Sequence, residues 1–196
     1  AAESGSQSVT ITIVENDSTP VVTLSTSATS IAENAGSSIT LTATLSNATT
    51  EDVTVALSTS GTGTEGTDYS TISDITVTAG NTTGTASFTP TDDSVYEGNE
   101  TGIVAISSVS GGSANESGTP QEVTITINDN ESAPTVTLSS SATSISEDAG
   151  SSLTLTATLS VATTADVTVG ISTSGTGTEG TDYSTISDIT ISAGAT

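Results

Sequence analysis

The chain has 196 residues, no Lys, Arg or His, and 23 Asp and Glu, for a formal charge of −23. Without cations it cannot neutralise phosphate, so nucleic-acid binding and attraction to anionic lipid lose their main driving force. Without His, Lys or Cys the usual bases and nucleophiles are missing, and no catalysis is expected. The lack of Cys also rules out disulfides, leaving metal ions as a staple for a small extracellular domain.

Roughly two-fifths of the residues are Ser or Thr, a composition that by itself would suit a disordered stalk. The apolar pattern argues otherwise. Val9 to Asp17 (VTITIVEND) opens the chain with a strand pattern, and Ile39, Leu41, Ala43 and Leu45 alternate with Thr. Val53, Val55 and Leu57 continue that alternation, as do Val123, Ile125 and Ile127. These are half-buried β-strands. Turn-rich stretches separate them: SGTGTEGT at 60–67, AGNTTG at 79–84 and SGGS at 110–113. No segment has a helical period, so the spacing predicts about seven strands per unit in an all-β, antiparallel sandwich of immunoglobulin-like type. Only Phe88 and three Tyr are aromatic, which leaves the core to Val, Ile, Leu and Ala.

The sequence copies itself. Residues 20–82 and 134–196 align without a gap at an offset of 114, with 51 of 63 pairs identical, and VTITIVEND returns at the same offset as VTITINDNE. Long near-identical units mean an array. The expected organisation is a closing strand of one repeat (1–19), a complete repeat (20–133) and the first part of another (134–196), a window on a longer protein.

Acidic residues concentrate in Thr91 to Glu100 (TDDSVYEGNE), which holds Asp92, Asp93, Glu97 and Glu100. Two carboxylates about 4 Å apart repel by roughly 4 kcal/mol at an effective dielectric near 20. No salt bridge can relieve this in a chain without Lys or Arg. Solvent separation, protonation or a bound cation remain, and calcium, which takes six to eight oxygens, suits an all-oxygen inventory better than zinc.

IAENAG around Glu33, GTEGTDY ending at Tyr69, DDSVYEGNE and VTITINDNE together resemble the Calx-beta domain, the calcium-binding sandwich of sodium/calcium exchangers and of tandem arrays in bacterial surface adhesins. The resemblance covers residues 20–131 and both flanking parts. It implies Ca2+ ligands at Glu33, Asp68, Asp93, Glu97, Glu100 and Asp129, with the Val95 carbonyl and Glu131 as further ligands. Glu147, Asp182, Glu15 and Asp17 are their copies in the flanking units, and one to three ions per repeat are expected. Two positions depart from the family pattern. Asn130 stands in a closing run that is often all Asp, and Gly102 stands where an aromatic is usual, which removes a large core side chain. Asp92 and Glu65 are expected to be solvated loop acids, Glu51, Asp52, Asp74, Glu116 and Glu122 surface charge, and Tyr69 and Tyr96 packing residues at the sandwich edge.

The resemblance implies a stalk segment of a large secreted or surface-anchored adhesin, extending a binding tip for attachment, biofilm formation or gliding. Its partners would be adjacent repeats of the same chain, with a surface, host or glycan target met through other domains and neither nucleic acid nor membrane bound directly. The alternatives are a structural subunit of an extracellular filament or surface layer, and a calcium-sensing regulatory domain of a membrane transporter.

Overall fold

Alternating apolar and Thr/Ser residues become pleated strands with one face inward. The computed structural model describes every residue except Glu3, Ser4, Glu15, Thr119, Pro120 and Ala149. Residues 20–131 carry ten strands: β1 (Val21–Thr26), β2 (Ser30–Ala32), β3 (Ile39–Leu45), β4 (Val53–Gly61), β5 (Ile75–Val77), β6 (Thr83–Phe88), β7 (Val95–Tyr96), β8 (Glu100–Ser110), β9 (Asn115–Glu116) and β10 (Glu122–Asn128). Nine of them form the two layers of a sandwich, ordered β6-β3-β1-β9 and β2-β10-β8-β4-β5. No helix long and apolar enough to cross a membrane occurs among the described residues.

Most pairs are antiparallel, as expected, but β1 runs parallel to β9 and β2 parallel to β10. For β2 the cause is local. The Thr26 hydroxyl donates to the Ala28 carbonyl at 2.8 Å, turning the chain out of the first sheet, and β2 then lays its short run on the edge of the second. This crossing carries Glu33, the next residue, to the end of the sandwich where β10 finishes.

The core is one cluster shared by both sheets. Leu41, Ala43, Val22 and Phe88 come from the first, and Val53, Val55, Ile75, Val77, Val104 and Ile125 from the second, all fully buried. Tyr69 belongs to it too, at 1% exposure and stacked on Phe88 with ring centroids 4.6 Å apart. The expectation that Tyr69 packs at the edge is therefore corrected: a turn places the ring inside, where it joins the only Phe. That stack also answers the departure at Gly102. A Cβ built there would meet the Phe88 ring at 2.6 and 2.8 Å and Tyr69 at 3.6 Å. The space that an aromatic would take on β8 is filled from β6 and the turn after β4.

Several acids read as solvated or surface charge also hold loops, and Asp52 and Asp74 do so while exposed. Glu65 accepts from the Thr59 hydroxyl at 2.6 Å and the Ile72 amide at 2.8 Å. Asp52 accepts from the Ala79 amide at 2.8 Å, Asp74 from the Leu57 amide at 3.0 Å, and Glu116 from the Gln121 amide at 2.6 Å. In a chain without basic side chains, backbone N–H groups, hydroxyls and side-chain amides are the donors left to satisfy a carboxylate.

Residues 134–196 rebuild part of the same unit. β11 (Val136–Ser140) pairs with β12 (Leu155–Leu159) in the register that β1 keeps with β3, and β14 (Val167–Val169) pairs with β15 (Ile189–Ile191) as β4 does with β5. The short β13 (Ala162–Thr163) lies between them. Ile145, Leu153, Leu155, Tyr183, Ile186 and Ile189 line a cavity of about 700 Å³, at the place where β8, β10 and Phe88 complete the core of the first unit. Near the N-terminus, Val9, Ile11, Ile13 and Val14 are 81–92% exposed and form no strand, although the same VTITI run is β10 in residues 123–127. Partner strands decide which copy is a strand.

Gly102→Leu forces a side chain into the Phe88 ring and is expected to lower unfolding free energy by about 1–3 kcal/mol. Phe88→Ala, which alone costs about 3–5 kcal/mol, should cost less in the Gly102→Leu background, because the new side chain fills part of the cavity. Equal stability of Gly102→Leu and the parent in urea unfolding would contradict this packing.

Candidate metal centre

Strand register gathers the acids at one end of the sandwich. β10 pairs with β2 through Asn128 opposite Ala32, and the Glu33 amide donates to the Asn128 carbonyl at 2.9 Å, so Glu33 and Asp129 leave the sheet side by side. Ile127 faces Glu100 across the β8–β10 ladder, placing Glu100 on the same edge. Asp68 arrives from the turn after β4, and the Thr91 amide donates to its carbonyl at 2.9 Å, tying the acidic loop (residues 91–99) to that turn.

The result is a row of three carboxylate triads: Glu33, Asp93 and Glu97; Glu33, Asp129 and Glu131; Asp68, Glu97 and Glu100. Within each triad one oxygen per residue lies within 4.8 Å of the others. Glu33 belongs to two triads and Glu97 to two, so the row is continuous. All seven acidic positions singled out in residues 20–131 meet here. Val95 lies in the same loop, in β7, and its amide donates to Asp93 Oδ1 at 2.7 Å.

Backbone donors position the row. The Asp93 amide donates to Glu33 Oε1 at 3.0 Å, the Glu97 amide to Asp129 Oδ2 at 2.9 Å and the Glu131 amide to Asp129 Oδ1 at 2.8 Å. The Gly98 amide also donates to Asp129 Oδ2. Asn99 accepts the Asp129 amide at 3.2 Å through its side-chain oxygen. Sequence reasoning missed Asn99, since nothing in its spacing distinguishes it from a turn residue. Asn130, the departure from an all-Asp run, donates from its side-chain amide to Glu131 Oε1 at 2.9 Å, giving that carboxylate a dipole in place of a repelling charge.

Electrostatics follow from this crowding. Burial pushes Glu33 above its ordinary value, helped by the charges of Asp93, Asp129 and Glu97 and opposed by the Asp93 amide. Burial and the Asp68 charge push Glu97 up. Glu100 rises furthest, to about 7, through burial, the charges of Asp68 and Glu97 and a hydrogen bond with Asp68. Asp129 goes the other way. Burial alone would raise it, but amide donors from Glu131, Gly98 and Glu97 outweigh that and hold it below its ordinary value. The row is thus a preformed acceptor set that resists carrying all its charge.

The residues present fit a hard cation. Glu131 Oε2 is buried without a hydrogen-bond partner and lies in the triad with Glu33 and Asp129. An oxygen ligand facing neighbouring carboxylates with no donor is what a calcium ion satisfies. The flanking copies stand differently. Asp17, Glu147 and Asp182 are exposed, and no acidic triad forms around them among the described residues. Asp182 accepts from the Thr178 amide at 2.7 Å, as Asp68 does from Thr64 at 2.6 Å, and shares the lining of the open cavity with Glu147. Glu15 lies outside the described residues.

In metal-free solution the row gives an unusual pH dependence. Between 4.5 and about 7 the folded chain keeps a proton on Glu100 that the unfolded chain has lost, so the native state binds more protons and stability falls as pH rises. Glu33 and Glu97 add the same sign, whereas Asp129 contributes stability that is lost only as pH falls below its ordinary 3.8. Thermal unfolding in chelator should therefore show a lower midpoint at pH 7.5 than at pH 5. Glu100→Gln should flatten that slope.

A family model described as the Calx-beta domain matches residues 15–131 and again 129–191. Solved structures similar to this chain include an apo-form Calx CBD1 domain, at 18% identity over 57% of this chain and 99% of that one, with a TM-score of 0.47. CBD12 of CALX1.2 matches at 19% identity, covering 52% of this chain and 41% of that one, with a TM-score of 0.44. The calcium binding domain CBD12 of CALX1.1 matches at 20% identity, covering 51% and 40%, also at 0.44. No curated protein matches. Calx-beta domains bind Ca2+, and the acidic triads here are groups able to hold a metal ion. With both of its repeated segments matched, the chain belongs to the Calx-beta domain family.

Proposed function

We propose that these are calcium-binding stalk repeats of a large secreted or cell-surface adhesin, which extend and stiffen the protein away from the cell. The observation that carries this reading is the place of the carboxylate row. Asp129 and Glu131 close the complete unit, accept or donate main-chain hydrogen bonds to the acidic loop and to each other, and are followed after only Ser132 and Ala133 by Pro134, the start of the next unit. Ions held by Glu33, Asp93, Glu97, Asp129 and Glu131, and by Asp68 with Glu97 and Glu100, would fix that short linker to the domain. One to three ions per repeat fit three triads that share two residues, with the Val95 carbonyl as a further ligand from the same loop. Near-identity of adjacent units suits a spacer better than a set of specialised sites, and extracellular calcium is high enough to fill modest sites. Binding of the adhesive target is assigned to other domains of the parent protein.

A calcium-sensing regulatory domain of a membrane transporter is the second reading, favoured by membership of a family that also occurs in exchanger loops. Affinity separates the two. Stalk repeats in calcium-rich surroundings need Kd values of about 10⁻⁴–10⁻³ M, whereas an intracellular sensor needs about 10⁻⁷–10⁻⁵ M.

Saturating calcium at a hundred times Kd should add about 2.7 kcal/mol per ion and raise the unfolding midpoint by roughly 10 °C. Glu33→Gln is expected to act in opposite directions: it relieves repulsion and raises the midpoint in chelator, yet removes most of the calcium-dependent rise. No midpoint change between chelator and 10 mM calcium would contradict the proposal.

A further inference from the structure

The acidic loop touches the next repeat through its main chain. β7 (Val95–Tyr96) pairs in parallel with β13 (Ala162–Thr163), Val95 opposite Ala162 and Tyr96 opposite Thr163. β13 lies in the turn between β12 and β14 of the following unit, and its counterpart in the complete unit is the turn at Ala48 and Thr49. That turn is built alike in both places. The Thr49 hydroxyl donates to the Glu51 carbonyl at 2.7 Å and Thr163 to Ala165 at 2.8 Å. The Gly80 amide donates to Thr49 at 2.8 Å and Gly194 to Thr163 at 2.9 Å. Asp52 holds Ala79 as Asp166 holds Ala193, at 2.8 and 2.9 Å. One difference is the neighbour. Ala48 is exposed and Ala162, against β7, is half-buried, whereas Thr49, packed against Gly112, is buried and Thr163 is half-buried.

We infer that this turn is a preformed docking seat, and that its occupant is the acidic loop of the repeat that precedes it in the chain. The same side-chain and main-chain bonds shape it at Ala48–Thr49, where β7 does not lie on it, so these bonds do not depend on the loop. Its recognition is by backbone register and uses no carboxylate, so it is separate from the linker contact made by Asp129 and Glu131. A linker alone fixes one point between two bodies and leaves rotation about it. A second contact, between loop and turn, fixes the direction of the next repeat. The inference deepens the stalk reading and rests on it for its purpose, since only a rod requires a set angle between units.

The full 196-residue chain contains no Cys, which allows a direct test by crosslinking. Neighbouring strands lie about 4.8 Å apart, inside the Cα range of a disulfide, whereas Ala165 lies beyond the paired register. Val95→Cys with Ala162→Cys should therefore oxidise to an intramolecular disulfide at least about tenfold faster than Val95→Cys with Ala165→Cys. Tyr96→Cys with Thr163→Cys provides the same comparison if the Val95→Cys substitution disturbs the acidic loop. Preference for the paired positions, in calcium or in chelator, supports the seat. Equal rates for paired and offset positions, or thiols that label with maleimide and do not crosslink in either condition, overturn it. The readout depends on position and not on a bound ion, so a chain that fails to bind calcium still reports on the joint.

Discussion

Twenty-three carboxylates and no cationic side chain mean that every acid must find a backbone amide, a hydroxyl, a proton, water or a metal. The fold sorts them. Glu65, Asp52, Asp74 and Glu116 find amides and hydroxyls and so define turns. Asp129 collects amides from three residues and stays ionised easily. Glu33, Glu97 and Glu100, crowded and partly buried, are pushed up toward protonation, and Glu131 Oε2 has no donor at all. Charge repulsion at about 4 kcal/mol per close pair works against the folded state unless something positive enters the row.

The same constraint explains why the acids stand at one end. Parallel addition of β2 to β10 brings Glu33 beside Asp129, and the ladder between β8 and β10 brings Glu100 to the same edge. Inside the sandwich the core is aliphatic apart from the Tyr69–Phe88 stack. That stack reaches Gly102 on β8, two residues beyond Glu100, so the packing of the core and the footing of the site meet at one short stretch of strand.

Much of this was legible in the sequence. Period-two alternation showed which face of β3 is inward, and the internal copy at an offset of 114 showed the unit. The unpaired acids pointed to a cation, and motif resemblance named the seven residues that the fold gathers. Other features were hidden because they depend on contacts distant in sequence. The parallel pairing of β2 with β10 follows a hydroxyl-stabilised crossing at Thr26, which no hydrophobic pattern records. Tyr69 reads as an edge residue until Phe88, nineteen positions away, is seen to stack on it. Glu65 and Asp52 look like solvated charge because their partners are backbone amides, which leave no mark on composition. The VTITI run shows the limit most plainly: it is β10 in one copy and an exposed segment outside any strand in the other.

The central claim is that the carboxylate row at the end of residues 20–131 is completed by calcium. Titration calorimetry of the full chain at neutral pH, with ions counted by equilibrium dialysis, tests it most directly. The account predicts one to three ions bound at the complete repeat and proton release on binding, because Glu100, raised to about 7, must give up the proton its crowding retains. Absence of bound calcium at millimolar concentration would contradict it, leaving a spacer sandwich whose acids serve solubility and loop geometry alone.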